Sequence, residues 1–392
     1  MDPRTNPFAP GAGATPPELA GREKIIEDVS IGLHRIRNGL SAKNILMVGL
    51  RGVGKTVLLN RLKNDAEYEG LICVQFESPE NRNLPSLLIP SLRTALFKLD
   101  RIIGAKEKIT RAVKVLGSFI GAAKLHYDGL EFGFDLGKED GIADSGNLDY
   151  DLIDLFISVG EAAKDKKTAV VLFIDELQYV PEKELAALIS AFHSCAQKQL
   201  PLALVGAGLP QLVGNVGKAK SYSERLFEFP IIGALTEGSA IEALQRPVMP
   251  HQVRFDEGAL TEILKQTQGY PYFLQEWGSI CWSVANEKII TQENAIAATA
   301  LAIVQLDAGF FRVRFDRCTP MEKVYLRAMA QINHPAPRSG DISAIMKKEV
   351  HQVGPLRQSL INKGMIYSPS HGDTVFTVPL FADYMKRIMP KL

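Results

Sequence analysis

Three observations in this 392-residue chain predict an α/β fold on a parallel sheet, followed by a helical segment and a small C-terminal domain of helices and a hairpin. An apolar run, NILMV at 44–48, leads into a glycine-rich loop, GLRGVGKT at 49–56, and then into an apolar-faced helical stretch from 57. The runs 71–76, 170–174 and 202–205 are short and almost continuously apolar, as strands buried on both faces of a parallel sheet are. From 235 onward the segments have helical spacing, interrupted near the end by a strand after Gly364 and a return strand at 373–378.

The loop at 49–56 matches GxxxxGK[ST] in the strand-loop-helix setting that makes the pattern specific for phosphate binding. Gly49, Gly52 and Gly54 let backbone N–H groups turn inward around phosphates, and the helix that begins at Lys55, Thr56 and Val57 offers its positive end. Lys55 can reach the β and γ phosphates and the Thr56 hydroxyl can hold magnesium. Arg51 and Val53 fill variable positions of the loop. In AVVLFIDELQYV, 169–180, the apolar strand ends in Asp175 and Glu176. Because the carboxyl ends of parallel strands form the ligand edge, Asp175 is expected beside Thr56 as a magnesium ligand. Glu176, one residue farther out, is expected to orient or deprotonate an attacking water.

These pieces resemble the AAA+ P-loop ATPases, in particular the branch of the archaeal and eukaryotic initiator ATPases (Orc and Cdc6) and related bacterial ATPases. The residues that carry the resemblance are the P-loop, the DE strand end 120 residues later, and AGREKII at 20–26. The resemblance covers residues 20–316 and implies ATP, ADP and magnesium as ligands, with Gly21 and Arg22 in a box near the adenine. It also implies a polar sensor side chain after the 202–205 strand, where this chain has Gly206-Ala207-Gly208. That departure leaves open a backbone contact, slow switch-like turnover, or a structural ATP-binding scaffold. In SYSERLFEFP, 221–230, Arg225 falls just before the expected last core strand, the place of an arginine finger acting on a neighbouring subunit, which implies a homo-oligomer.

The expected organisation is a flexible lead at 1–19, a nucleotide-binding core at 20–234, a helical lid at 235–318 and a winged helix at 319–392. The core carries an insertion at about 84–150, with helices at 90–103 and 109–123, a hairpin around Asp128-Gly129 and an acidic loop. That loop reads either as solvated decoration or as a contact surface. In the lid, Gly269-Tyr270-Pro271 stands where family members often place a sensor arginine and resembles the GxP lids of signalling (STAND) ATPases; Tyr270 and Pro271 are thereby candidate nucleotide contacts. The last domain has ten Lys and Arg against five acids. Arg357, Lys363, Lys347 and Lys348 would suit phosphate contacts to double-stranded DNA, although winged helices also bind proteins. A DNA transaction or nucleoprotein assembly, and a signalling or defence switch with an unknown protein partner, are both open.

Composition sets the outer limits. A hydrophobic share of 46% with 23% charged residues is that of a globular protein long enough for two or three domains. A net charge of +1 neither demands nor excludes a polyanion partner. Cys73, Cys195, Cys281 and Cys318 lack metal or disulfide spacing, so a reducing cytoplasm is the simplest setting. No run approaches the roughly 18 consecutive apolar residues of a membrane span, so no membrane contact is expected. The Pro- and Gly-rich N-terminus lacks the apolar run of a signal peptide and reads as a lead or as a strap over the first domain.

Overall fold

The computed structural model describes residues 1–11, 16–104, 106–126, 136–370 and 372–392. The hairpin expected around Asp128-Gly129 and the turn at His371 lie outside them. By internal contacts the chain divides into two units, one of Arg22–Gly49 and Lys55–Ile231, the other of Met1–Gly21, Leu50–Gly54 and Ile232–Leu392.

The first unit alternates helices and strands: α1 (Glu23–Arg37), β1 (Asn44–Val48), α2 (Lys55–Tyr68), β2 (Ile72–Glu77), α3 (Leu84–Asp100), α4 (Glu107–His126), α5 (Leu148–Asp165), β3 (Val170–Asp175), α6 (Glu182–Gln197), β4 (Leu202–Gly208), α7 (Gln211–Ala219), α8 (Ser223–Leu226) and β5 (Phe227–Glu228). The strands pair in the order β2-β3-β4-β1-β5, and every pairing is parallel. Parallel neighbours need long crossovers, which the intervening helices supply. β1, β3 and β4 are buried along their whole length, which is why they read as continuous apolar runs.

The insertion is core and not appendage. Leu88, Leu92 and Leu96 of α3, Leu116 and Phe119 of α4, and Leu155 and Phe156 of α5 belong to the same buried cluster as Leu172 of β3 and Leu188 of α6. Helix α3 begins six residues before Pro90, the residue at which the sequence reading starts it. Asn83 caps α3 through the Ser86 N–H, and the buried Glu184 carboxylate accepts from the Leu84 N–H at 2.6 Å, so the end is closed well ahead of the proline. In the acidic loop, Asp151 is buried and accepts from the Ser145 N–H at 2.9 Å, the Ser145 hydroxyl at 2.7 Å and the Gly146 N–H at 2.9 Å. That carboxylate is a clasp for the loop, whose residues Gly141, Asp144, Ser145 and Asn147 stay exposed.

The second unit continues with α9 (Glu237–Val248), β6 (Arg254–Phe255), α10 (Glu257–Thr267), α11 (Pro271–Val284), β7 (Ile289–Ile290), α12 (Gln292–Leu306), a π-helical turn (Asp307–Phe311) and α13 (Arg312–Asp316). Then follow α14 (Pro320–Gln331), α15 (Ser339–Ile345), α16 (Val350–Asn362), the antiparallel pair β8 (Ile366–Tyr367) and β9 (Val375–Phe376), and α17 (Phe381–Ile388). The closing helix α17 is not foreseen by the sequence reading.

Residues 1–11 lie as a strap, one of the two readings of this stretch, but on the lid: Phe8 is buried edge-on to Phe255, Asn6 donates to the Ser279 carbonyl at 3.1 Å, and the Trp282 indole donates to the Asp2 carbonyl at 2.9 Å. The helical run Gln292–Asp316 is also long and apolar enough, by length and composition alone, to cross a membrane. Its sequence hides this because Thr299, Gln305 and Asp307 break the run of apolar residues. Ala295, Ala298, Ala302 and Leu306 form its buried stripe within the lid.

Candidate functional site

In the first unit the site grows from the carboxyl end of the sheet. The Gly49 N–H donates to the Gly208 carbonyl at 3.1 Å, which joins the start of the loop to the end of β4. The buried Lys55 ammonium turns back and donates to the Gly49 carbonyl at 2.9 Å. The Thr56 hydroxyl donates to Asp175 Oδ2 at 2.6 Å, which brings together two residues 119 positions apart. The other Asp175 oxygen accepts from the Glu176 N–H at 2.8 Å. Val57 is buried in the first turn of α2.

Glu176 has left-handed backbone angles, φ 54° and ψ 36°, which cost a non-glycine residue about 1–3 kcal/mol and occur preferentially at functional sites. Its side chain accepts a hydrogen bond from the Gln178 amide nitrogen. The Gln178 amide oxygen accepts from the Leu209 N–H at 3.0 Å, just past β4. Gln178 is itself buried, so one amide ties Glu176 to the strand end where the sequence lacks a polar side chain. The glycines of that strand end now have a steric reason. A side chain at 206 would collide with Leu177 and Leu46, and a Cβ at 208 would lie 2.8 Å from Gln178 Oε1 and 2.8 Å from Leu212 Cδ2. Sequence reasoning overlooked Gln178; its only signal is a polar residue two positions past the DE pair.

In the second unit, loop residues 50–54 lie against the start of α11. The Tyr270 hydroxyl donates to the Arg51 carbonyl, and the Tyr272 N–H donates to the Gly52 carbonyl at 3.2 Å. Gly52 has φ +83°, and a Cβ there would stand 3.1 Å from Tyr270 Cε1 and 3.2 Å from Tyr272 Cβ. The loop therefore needs glycine for conformation and for clearance. Pro271 opens α11, where its missing N–H costs nothing. Tyr270 and Val53 are buried, and burial pushes the Tyr270 phenol above its ordinary range. Gly21 packs against Ser239. A cleft of 540 Å³ in this unit is lined by Leu235, Ile241, Leu260, Leu264 and Gly269 among others. Arg22 belongs to the first unit, where it precedes α1; burial lowers its pKa. Arg225 is exposed on the four-residue α8.

A sequence profile of the AAA ATPase domain matches residues 18–205, which span α1, the P-loop and the sheet as far as the first half of β4. Residues 18–205 thus form an AAA ATPase domain of the P-loop type. Beyond that domain, residues 308–385 match a domain of unknown function, DUF8462. Among solved structures it is similar to the Walker-type ATPase PABY2304 of Pyrococcus abyssi, at 16% identity and TM-score 0.55 over 94% of this chain and 96% of that one. It is also similar to the Orc1 protein of Aeropyrum pernix in complex with DNA, at 15% identity and TM-score 0.45 over 95% and 94% of the two chains. A third is the RuvB Holliday junction branch migration motor of Thermotoga maritima, at 15% identity and TM-score 0.45 over 96% and 99%. The first likeness is one of fold. No curated protein matches the chain.

Proposed function

We propose that this AAA+ protein is an ATP-binding and ATP-hydrolysing molecular switch. The observation that carries the reading is the Thr56–Asp175 hydrogen bond at 2.6 Å beside the buried Lys55. Two hard oxygen donors at the foot of a P-loop fit a magnesium ion that keeps most of its water and shares nucleotide phosphates. Among the described residues no cluster of three or more His, Cys, Asp or Glu could hold a metal without such phosphates. Bound there, magnesium would neutralise charge developing on the transferred phosphoryl group. Lys55 supplies positive charge to the phosphates, and Glu176, held by Gln178, orients the attacking water. Most of the rate enhancement comes from positioning and electrostatics. Gly21, Arg22, Tyr270 and Pro271 are assigned to the adenosine side.

Output runs through residues 319–392, read as a winged helix because three helices precede an antiparallel pair. On the first reading the switch serves a DNA transaction or nucleoprotein assembly. A second reading, a switch acting on a protein partner, is favoured by one observation. Arg357 donates to Ser368 Oγ at 2.6 Å and the Asp373 carbonyl at 3.0 Å, and Lys363 pairs with Glu322 at 2.7 Å, so two cations suited to phosphate are spent on internal bonds. Lys347 and Lys348 remain exposed.

The test compares nucleotide binding and phosphate release in three proteins. Lys55→Ala should abolish tight ATP binding, while Glu176→Gln should bind ATP as wild type does and release no phosphate. Undiminished release from Glu176→Gln would sink the mechanism.

A further inference from the structure

Arg314 of α13 is a half-buried cation, and among the described residues no acid neutralises it. Its Cζ lies 3.8 Å from the centre of the Phe310 ring, and its Nη1 donates to the Phe310 carbonyl at 2.7 Å. Phe310 stacks on Tyr272, with centroids 4.6 Å apart and planes 17° from parallel, and the Tyr272 N–H is bonded to Gly52. Guanidinium, phenyl ring, phenol and loop backbone thus form one continuous column inside the second unit. The π-helical turn lets successive aromatics serve different neighbours: Phe310 faces Tyr272, whereas Phe311 packs on Phe381 and Tyr384 of α17.

The electrostatics point the same way. Burial first, and the positive charge of Arg51 next, push Arg314 down to about 10. Among the described residues it has no carboxylate partner; the groups acting on its charge are Arg51, Arg317 and the Tyr270 and Tyr272 phenols. A half-buried guanidinium whose charge is opposed by burial and by Arg51 gains when an anion arrives beside it. The neighbouring loop is the one built to receive phosphate through its backbone N–H groups.

We propose that Arg314 is a further residue of the nucleotide site, its guanidinium pairing with the polyphosphate of the bound nucleotide. This rests on the nucleotide-binding reading above. It supplies a cation that the Gly269-Tyr270-Pro271 start of α11 does not, and it does so from the first turns of the segment that matches DUF8462. Phosphate occupancy is thereby felt at the base of the C-terminal helices through Phe311.

The experiment titrates the full chain with ATP, magnesium tripolyphosphate and adenosine, using wild type, Lys55→Ala, Arg314→Met and Arg314→Lys. Methionine keeps the packing on Phe310 and removes the charge. Arg314→Met should weaken ATP and tripolyphosphate by about tenfold or more, as expected for a lost hydrogen bond to a charged group, and leave adenosine unchanged. Arg314→Lys should recover part of the loss. ATP, but not adenosine, should also slow phenylglyoxal modification of Arg314 in the wild-type protein, read by peptide mass. The proposal is overturned if Arg314→Met binds ATP like wild type, if it loses adenosine affinity in equal measure, or if ATP leaves Arg314 equally reactive. A wild type that fails to bind ATP refutes the nucleotide reading itself, whereas binding lost in Lys55→Ala but kept in Arg314→Met refutes the role of Arg314 alone.

Discussion

Gly208→Ala adds one methyl group at a position that touches no reacting atom, yet it should slow hydrolysis. The new Cβ would lie 2.8 Å from Gln178 Oε1, against ordinary contacts of 3.4–4 Å, so the amide has to move. Moving it breaks the Leu209 N–H bond and the bond to the Glu176 carboxylate together. A hydrogen bond to a charged group contributes about 1.5–3 kcal/mol, and each 1.36 kcal/mol is tenfold in rate, so kcat should fall by roughly 10- to 100-fold. Binding of ATP should change little, because Lys55 and Thr56 are untouched. Gln178→Ala should give a similar fall, since it deletes the same bond. The two substitutions share one mechanism, so the double variant should be no slower than either single, with a coupling energy of about 1.5–3 kcal/mol. Single-turnover phosphate release at saturating ATP measures the cycle. Additive losses in the double variant would refute the coupling of Glu176 to the end of β4 through Gln178.

Three further outcomes are expected. If Arg225 acts on a neighbouring subunit, mixing Arg225→Ala with Glu176→Gln should restore part of the phosphate release that each lacks; verified co-assembly with no recovery would exclude a finger in trans. Glu322 is almost fully buried, and although burial works to raise its pKa, hydrogen bonds from Lys363, Ser359 and the Thr319 N–H hold it below the ordinary carboxylate value of 4.5. Its contribution to stability is therefore complete above about pH 4.5 and is lost as the pH falls through the lowered folded-state value. Glu322→Gln should flatten that acid limb of the thermal midpoint and cost on the order of 3 kcal/mol at neutral pH, the low end for a broken buried pair because Lys363 still meets water. Finally, duplex DNA binding by the full chain, if the first output reading holds, should weaken steeply with salt and be lost on Lys347→Glu/Lys348→Glu; no binding at low salt would leave the protein-partner reading.

Much of the fold was legible because the relevant signals are local. Each strand of the parallel sheet is a short apolar run, and the helix starts carry caps such as Asp256, which accepts from the Ala259 N–H at 2.6 Å. The insertion was harder to read. Pro90 looks like a helix start and is an interior residue of α3, whose end Asn83 and Glu184 close six residues earlier. Pro and Gly dominate the lead and give no local sign of its contacts, while Phe8, Asn6 and the Asp2 carbonyl anchor residues 1–11 in the lid.

By itself the sequence determined the P-loop, the Asp175-Glu176 strand end and the succession of helices and strands, because covalent spacing and periodicity are properties of neighbouring residues. Only the tertiary structure decided that Gln178 fills the place left by two glycines of β4, that Tyr272 and Phe310 carry Arg314 to the loop, and that Arg357 and Lys363 are occupied at home. Those contacts depend on which side chains the packed sheet and helices bring within a few ångströms. Residues far apart in the chain carry no local mark of meeting there.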